Sequence, residues 1–280
     1  MKITVLVENS LADEAKGCAA EHGISLYVEA NGKTILADTG ASDLFLRNAE
    51  ILGCDIAAVD VAYVSHAHYD HGGGLAAFFA ANDRAPVFMH PLVQEEYVAR
   101  ILLFREDIGL DQEVLAANAD RIRYVDALTA VDDRITVIAD IPPHFPPPRG
   151  NRILCKSEGG RLVRDDFEHE LLLCIQEDDG LFLYTGCSHR GVVNMIDAAI
   201  AQFPGVPIKA VLGGFHLEHP IFKGMAERRD TVTEIGRRLL DYPIGQVYSG
   251  HCTGHKAFGV LKGVMGDELD AFPTGSVLEF

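Results

Sequence analysis

The stretch Val59-Asp60-Val61-Ala62-Tyr63-Val64-Ser65-His66-Ala67-His68-Tyr69-Asp70-His71-Gly72-Gly73-Gly74 decides how this chain is read. Its first six residues are a short, valine-rich apolar run, the mark of a buried strand. Three histidines and an aspartate then fall between His66 and His71, and the segment from about Gly74 to Ala81 reads as a helix. Strand, polar loop and helix together put the cluster at the carboxyl mouth of a strand, where α/β sheets gather their sites. The glycines are expected to let the backbone turn tightly there. In an extended loop, residues two apart point the same way. His66 and His68 are therefore placed to grip one ion, with Asp70 and His71 reaching a neighbouring position. Neutral imidazoles with a carboxylate suit zinc, and also iron or manganese. One or two divalent ions are expected, zinc first.

Three further strand ends deliver a histidine beside glycines. They are Thr185-Gly186-Cys187-Ser188-His189-Arg190-Gly191, Gly213-Gly214-Phe215-His216-Leu217 and Ser249-Gly250-His251-Cys252-Thr253-Gly254. A lone histidine after a strand is more often structural, but three at one topological position point to a shared site. Asp38, closing a strand at Asp38-Thr39-Gly40, is suited to orient a ligand histidine or to cap the following helix. His22 heads the first hairpin and is a candidate substrate contact. His216 is a candidate proton donor and substrate contact, and Arg190 offers a cation to an anionic substrate. His144, in a proline-rich run, and His169, ahead of its strand, are the rival ligands.

Working outward, Ile24 to Ala30, Asn31-Gly32 and Thr34 to Ala37 form a hairpin signal. Ser42 is placed to cap a helix reaching about Leu52. Residues 92 to 120 read as helical, with Pro91 near the start. Ile141-Pro142-Pro143-His144-Phe145-Pro146-Pro147-Pro148-Arg149-Gly150 is barred from helix and central strand, and is read as a loop lying over the site. A second hairpin spans Leu171 to Thr185. Helices near 191–203 and 226–240 alternate with strands near 208–212 and 246–249. The order is β-rich, βαβα, β-rich, βαβα, which two sheets with helices outside them would satisfy.

Composition narrows the function. With 280 residues, 48% hydrophobic and 23% charged, the chain reads as ordinary globular protein. No apolar run approaches the ~20 residues of a membrane helix. Residues 1–8 turn acidic too soon for a signal peptide, so a cytoplasmic protein is expected. A formal net charge of −17 disfavours nucleic acid as a partner, because phosphate binding relies on Lys and Arg. A small-molecule substrate is expected instead, with no membrane partner and room for a homo-oligomer. None of the six cysteines forms a C-x-x-C pair, which excludes a zinc ribbon or thioredoxin-like motif.

The H-x-H-x-D-H pattern resembles that of the metallo-β-lactamase-fold hydrolases. Taken with Val7-Glu8-Asn9, Glu21 to Ser25, Asp38-Thr39-Gly40, Thr185 to Gly191, Gly213 to Leu217 and Gly250-His251-Cys252, the chain is similar to one branch. That branch includes an archaeal dihydropterin–aminobenzene phosphate synthase. The resemblance spans nearly the whole chain. It implies an α/β fold, an αββα sandwich of two mixed β-sheets flanked by helices, as a single domain over residues 1–280. It implies that His66, His68 and His189 hold a first metal, and Asp70, His71 and His251 a second. Most of the superfamily carries a bridging aspartate where this chain has Cys187, which makes Cys187 either a softer ligand or a bystander.

The expected function is metal-dependent hydrolysis of a small anionic, phosphorylated metabolite, with Asp70 orienting or deprotonating water. The resemblance also implies an alternative, a pterin-type transferase displacing pyrophosphate at the same site. Two rivals from other classes are a non-haem iron redox protein and a ligand-binding sensor.

Overall fold

Ser25–Ala30 and Lys33–Ala37 pair antiparallel, Ala30 opposite Lys33. The turn is made by Asn31 and Gly32, both at positive φ, as the Asn-Gly dipeptide dictates for a two-residue hairpin. The computed structural model describes residues 1–101, 104–219 and 222–280. It divides into two compact units. The first comprises Met1–Asp126, Cys155–Val163 and Phe272–Phe280; the second comprises Ala127–Leu154 and Arg164–Ala271.

The first unit is built on a seven-stranded mixed sheet. Val277–Glu279, Lys2–Val7, Ser25–Ala30 and Lys33–Ala37 pair antiparallel in that order. Val61–Tyr63, Val87–Met89 and Ile122–Tyr124 continue the sheet in parallel. Helices Leu44–Leu52, Tyr69–Gly72 and Leu75–Ala81 follow the strands they serve. Parallel pairing sets Ala37 opposite Tyr63 and Tyr63 opposite Phe88, so Asp38 and the His66–His71 loop leave one edge together.

The second unit repeats the plan. Its seven-stranded sheet runs Leu269–Asp270, Ile244–Ser249, Ile208–Gly213, Gly180–Tyr184, Leu172–Glu177, Ile135–Ile138, Thr129–Ala130. The first three pairings are parallel and the last three antiparallel. Helices Val192–Gln202, Arg229–Asp241 and His255–Met265 accompany it. Its core joins Leu183, Val211 and Val247 of the central strands to Met195, Ile196, Val232 and Leu261 of the helices. Burying each such side chain contributes about 1.5–3 kcal/mol.

Two expectations change. Residues 92–120 are not one helix. They hold a 3-10 turn at Pro91–Gln94, an antiparallel pair Tyr97–Ile101 and Phe104–Asp107, and a short helix Gln112–Ala117; residues 102 and 103 of that stretch lie outside the described residues. Asp111 starts the short helix by accepting from the Glu113 and Val114 amides, a cap that isolates it from what precedes. Helix His255–Met265 and strand Val277–Glu279 add elements that the sequence did not announce. No helix among the described residues is long and apolar enough to cross a membrane.

Candidate metal centre

In the first unit the cluster is fully built. His66, His68 and Asp70 each offer a ligand atom within 4.8 Å of the others, and all three are buried. His66 Nε2 lies 3.1 Å from His68 Nδ1, so the two rings converge as residues two apart in an extended loop should. His71 Nδ1 stands 2.5 Å from Asp38 Oδ2, both side chains sealed from solvent. Asp38 also accepts from the Ser65 amide and hydroxyl, each at 2.7 Å. A carboxylate that takes the Nδ1 proton fixes the tautomer and presents Nε2 as the lone-pair nitrogen. Ser65, which sequence reading passed over, also meets His66 Nδ1 at 2.9 Å.

The glycines after His71 serve closeness rather than turning. None of Gly72, Gly73 and Gly74 is at positive φ, but a Cβ on Gly73 would stand 2.4 Å from Ala41 O, and one on Gly74 would stand 2.5 Å from Thr39 O. They let the cluster press against the Asp38–Ser42 loop, where the Thr39 amide donates to His71 O at 2.7 Å. His22 is partly exposed and lies 3.4 Å from Asp70 Oδ2.

In the second unit the donors come from three loops. Gly180–Tyr184, Ile208–Gly213 and Ile244–Ser249 are parallel neighbours, with Leu212 opposite both Tyr184 and Tyr248. Cys187 and His189, then His216, then His251 and Cys252 therefore leave one sheet edge side by side. The loops are stitched to each other. Gly214 N donates to Gly186 O at 2.7 Å, Ser188 Oγ to Gly214 O at 2.7 Å, and Phe215 N to Thr253 Oγ1 at 2.9 Å.

His189 is held on three sides. Asn151 Nδ2 donates to His189 O at 2.8 Å, which turns the Asn151 oxygen toward His189 Nδ1 at 3.0 Å. Phe167 stacks on the imidazole, centroids 4.4 Å apart and planes 4° from parallel. The buried Glu170 carboxylate accepts from the His189 and Arg190 amides, both at 2.6 Å. Burial pushes the Glu170 carboxyl up to about 8, against the pull of those two amides and of the Arg190 charge. Asn151, Phe167 and Glu170 are supporting residues that sequence reading missed; a buried glutamate heading the apolar run Leu171–Cys174 was the available signal.

The two rival histidines differ in setting. His169 Nε2 pairs with Asp165 Oδ2 at 3.0 Å, and His144 is exposed in the proline loop. Cys187 Sγ lies 3.3 Å from Cys252 Sγ, and both group with His216. Burial works against ionising Cys252, yet the Cys187 contact and the positive potential of His251 and His216 hold its thiol well below the ordinary range.

A cleft of about 650 Å³ opens beside His189. Arg149, Arg152, Arg164 and Arg190 line it, together with the acidic Asp165, Asp166 and Glu168 and the prolines 143 and 146–148. The proline loop therefore does bound a cleft at a candidate ligand.

Residues 21–189 match the profile of the metallo-beta-lactamase superfamily. The chain belongs to that superfamily. Among curated relatives of this metallo-β-lactamase-superfamily chain, one is the 7,8-dihydropterin-6-methyl-4-(beta-D-ribofuranosyl)-aminobenzene-5'-phosphate synthase of Methanocaldococcus jannaschii, 29% identical, covering 93% of this chain and 90% of the relative. An uncharacterised protein of the same organism is 29% identical over 98% of this chain and 97% of its own length. Among solved structures, a metal-dependent hydrolase of the beta-lactamase superfamily superposes with a TM-score of 0.83 at 28% identity, covering 100% of this chain and 99% of that one. Zinc-bound PqqB from Methylobacterium extorquens superposes with a TM-score of 0.58 at 12% identity, covering 100% of both chains. The fold is the mixed α/β fold of the superfamily, its two seven-stranded mixed sheets accompanied here by a smaller four-stranded one, and the buried His, Asp and Cys groups are of the kind that holds a divalent metal.

Proposed function

We propose that this chain is a metal-dependent hydrolase acting on a small anionic, phosphorylated metabolite. The observation that carries the reading is the buried His66–His68–Asp70 group beside an Asp38-held His71. Three convergent donors with a carboxylate fixing a fourth suit a divalent ion. On the family pattern, His66, His68, Asp70 and His71 would be metal ligands, and so would His189 and His251. A divalent ion bound there would lower the pKa of a water from about 15.7 toward about 7 and polarise an oxygen of the phosphoryl group under attack. The chain's own groups do the rest. Asp38 and Asn151 hold His71 and His189 in register. Asp70 orients the water and takes its proton, with His22 alongside as the way out to solvent. The four arginines of the cleft, set among Asp165, Asp166 and Glu168, offer charge-assisted hydrogen bonds to a phosphorylated substrate, and the prolines offer it an apolar wall.

One observation favours a second reading, that of a synthase: the M. jannaschii relative is so named and matches over 93% of this chain. Here an arylamine nitrogen would attack the substrate carbon, and pyrophosphate would leave with the bonding electron pair, bound by the same cations. Assay of the metal-loaded chain on phosphate and pyrophosphate esters, with and without an arylamine, separates the two. Phosphate release without amine supports hydrolysis. Pyrophosphate release that requires the amine supports synthesis. Turnover that survives complete chelation would overturn both.

A further inference from the structure

We propose that Cys187, His216 and Cys252 form a thiolate-rich site for a soft divalent cation, built wholly within the second unit. The two sulfurs lie 3.3 Å apart, and with a ring nitrogen of His216 their ligand atoms fall within 4.8 Å of one another, all buried. Two zinc–sulfur bonds of ~2.3 Å at a tetrahedral angle would set sulfurs about 3.8 Å apart, so roughly half an ångström of opening admits the ion. Two thiolates and one imidazole match the donor softness of zinc, cobalt(II) or cadmium, not magnesium or calcium.

A second observation points to a ligand independently. His216 is 5% exposed, yet neither of its ring nitrogens makes a hydrogen bond of ordinary geometry among the described residues. A buried imidazole without such bonds is costly, and this one is also held at a positive φ of 49°. That pairing of strain and unmet bonding is the signature of a functional position. The surroundings are cut to fit. A Cβ on Gly150 would stand 2.7 Å from the His216 ring, and one on Gly214 would stand 2.4 Å from Cys252 Sγ. Both glycines leave the space that the imidazole and the sulfur fill. Thr253 and Ser249 tie the His216 and Cys252 loops together through the Phe215 amide and a 2.7 Å hydroxyl contact.

The site adds Cys252 and His216, neither of which belongs to the ligand set proposed for hydrolysis, so the Cys252 and His216 variants test it apart from that reading. The full-length chain, reduced and freed of metal, is titrated with cobalt(II) while the thiolate-to-cobalt charge-transfer absorption is followed. The expected result is a saturable near-ultraviolet band, halved in Cys187→Ser and in Cys252→Ser and abolished in the double serine variant. His216→Asn should weaken cobalt binding about tenfold or more, at least the loss seen when a ligand's supporting group is removed. Gly214→Ala, which keeps every donor but crowds the sulfur, should weaken it too, and circular dichroism checks that each variant is folded. Cobalt bound with no thiolate band, or a band indifferent to both serine variants, would overturn the proposal. Loss of half the band in Cys252→Ser with catalysis intact would support this site and leave the hydrolase reading standing.

Discussion

The first unit concentrates its donors in six consecutive residues after one strand; the second collects its donors from three loops spread over sixty-odd residues, Cys187 to Cys252. The first arrangement is local. Its geometry follows from an extended His66–His68 stretch, the helical turn Tyr69–Gly72 that presents Asp70 and His71, and one anchoring carboxylate, Asp38, brought by the adjacent parallel strand. The second is topological. Its donors are neighbours only because Gly180–Tyr184, Ile208–Gly213 and Ile244–Ser249 are in parallel register. The lesson is that a contiguous cluster needs one charged anchor, whereas a dispersed one needs many neutral stitches.

The largest effect should come from Asp70, the one carboxylate in the local cluster. Asp70→Asn is expected to lower kcat/KM by about 10²–10⁴, the usual worth of a positioned acid or base, with the fold intact by circular dichroism. Wild-type turnover in Asp70→Asn would end its role in handling the proton.

The anchors come next, and they test the contrast directly. Asp38→Asn removes the charge that takes the His71 proton and should cost ~10–100-fold in metal affinity, measured by competition with a chelator. Asn151→Ala removes a neutral partner of His189, one of three supports, and should cost about tenfold at most. Equal losses would show that the second unit depends on a single anchor after all.

The smallest effect is a pH slope. Glu170 has its folded pKa raised to about 8 from an ordinary 4.5. Between those values the folded chain binds the proton that the unfolded chain has released, so this group's contribution is full below pH 4.5 and falls away as pH rises toward 8. Thermal melts across that window should show wild type losing stability relative to Glu170→Gln. Parallel curves would mean that the two amides keep Glu170 ionised throughout.

Legibility in the sequence followed the same division. The convergence of His66 and His68 could be read from their spacing, whereas the helical turn that carries Asp70 and His71 could not. The hairpin at Asn31-Gly32 and the strands before His189, His216 and His251 could be read from turn chemistry and apolar runs. Asn151, Phe167 and Glu170 could not, since nothing near them in the chain reveals the imidazole they support. The Cys187–Cys252 contact was hidden for the same reason: sixty-five positions separate the two sulfurs. The helix expected over 92–120 failed because its apolar residues serve a strand pair and a capped short helix instead.

The three-loop edge of the second unit also bears on how such proteins diverge. Each loop carries its own donors, and the strands beneath are fixed by core side chains that never meet the site. A substitution in one loop exchanges a thiol, imidazole or carboxylate while leaving sheet register untouched, and an insertion there displaces one donor set only. An insertion between His66 and His71 would instead shift the extended His66–His68 pair against the helical turn Tyr69–Gly72 and carry Asp70 and His71 out of place. Evolutionary change in metal preference and substrate should therefore accumulate in the 185–191, 213–217 and 250–254 loops, while the 66–71 segment stays fixed in length.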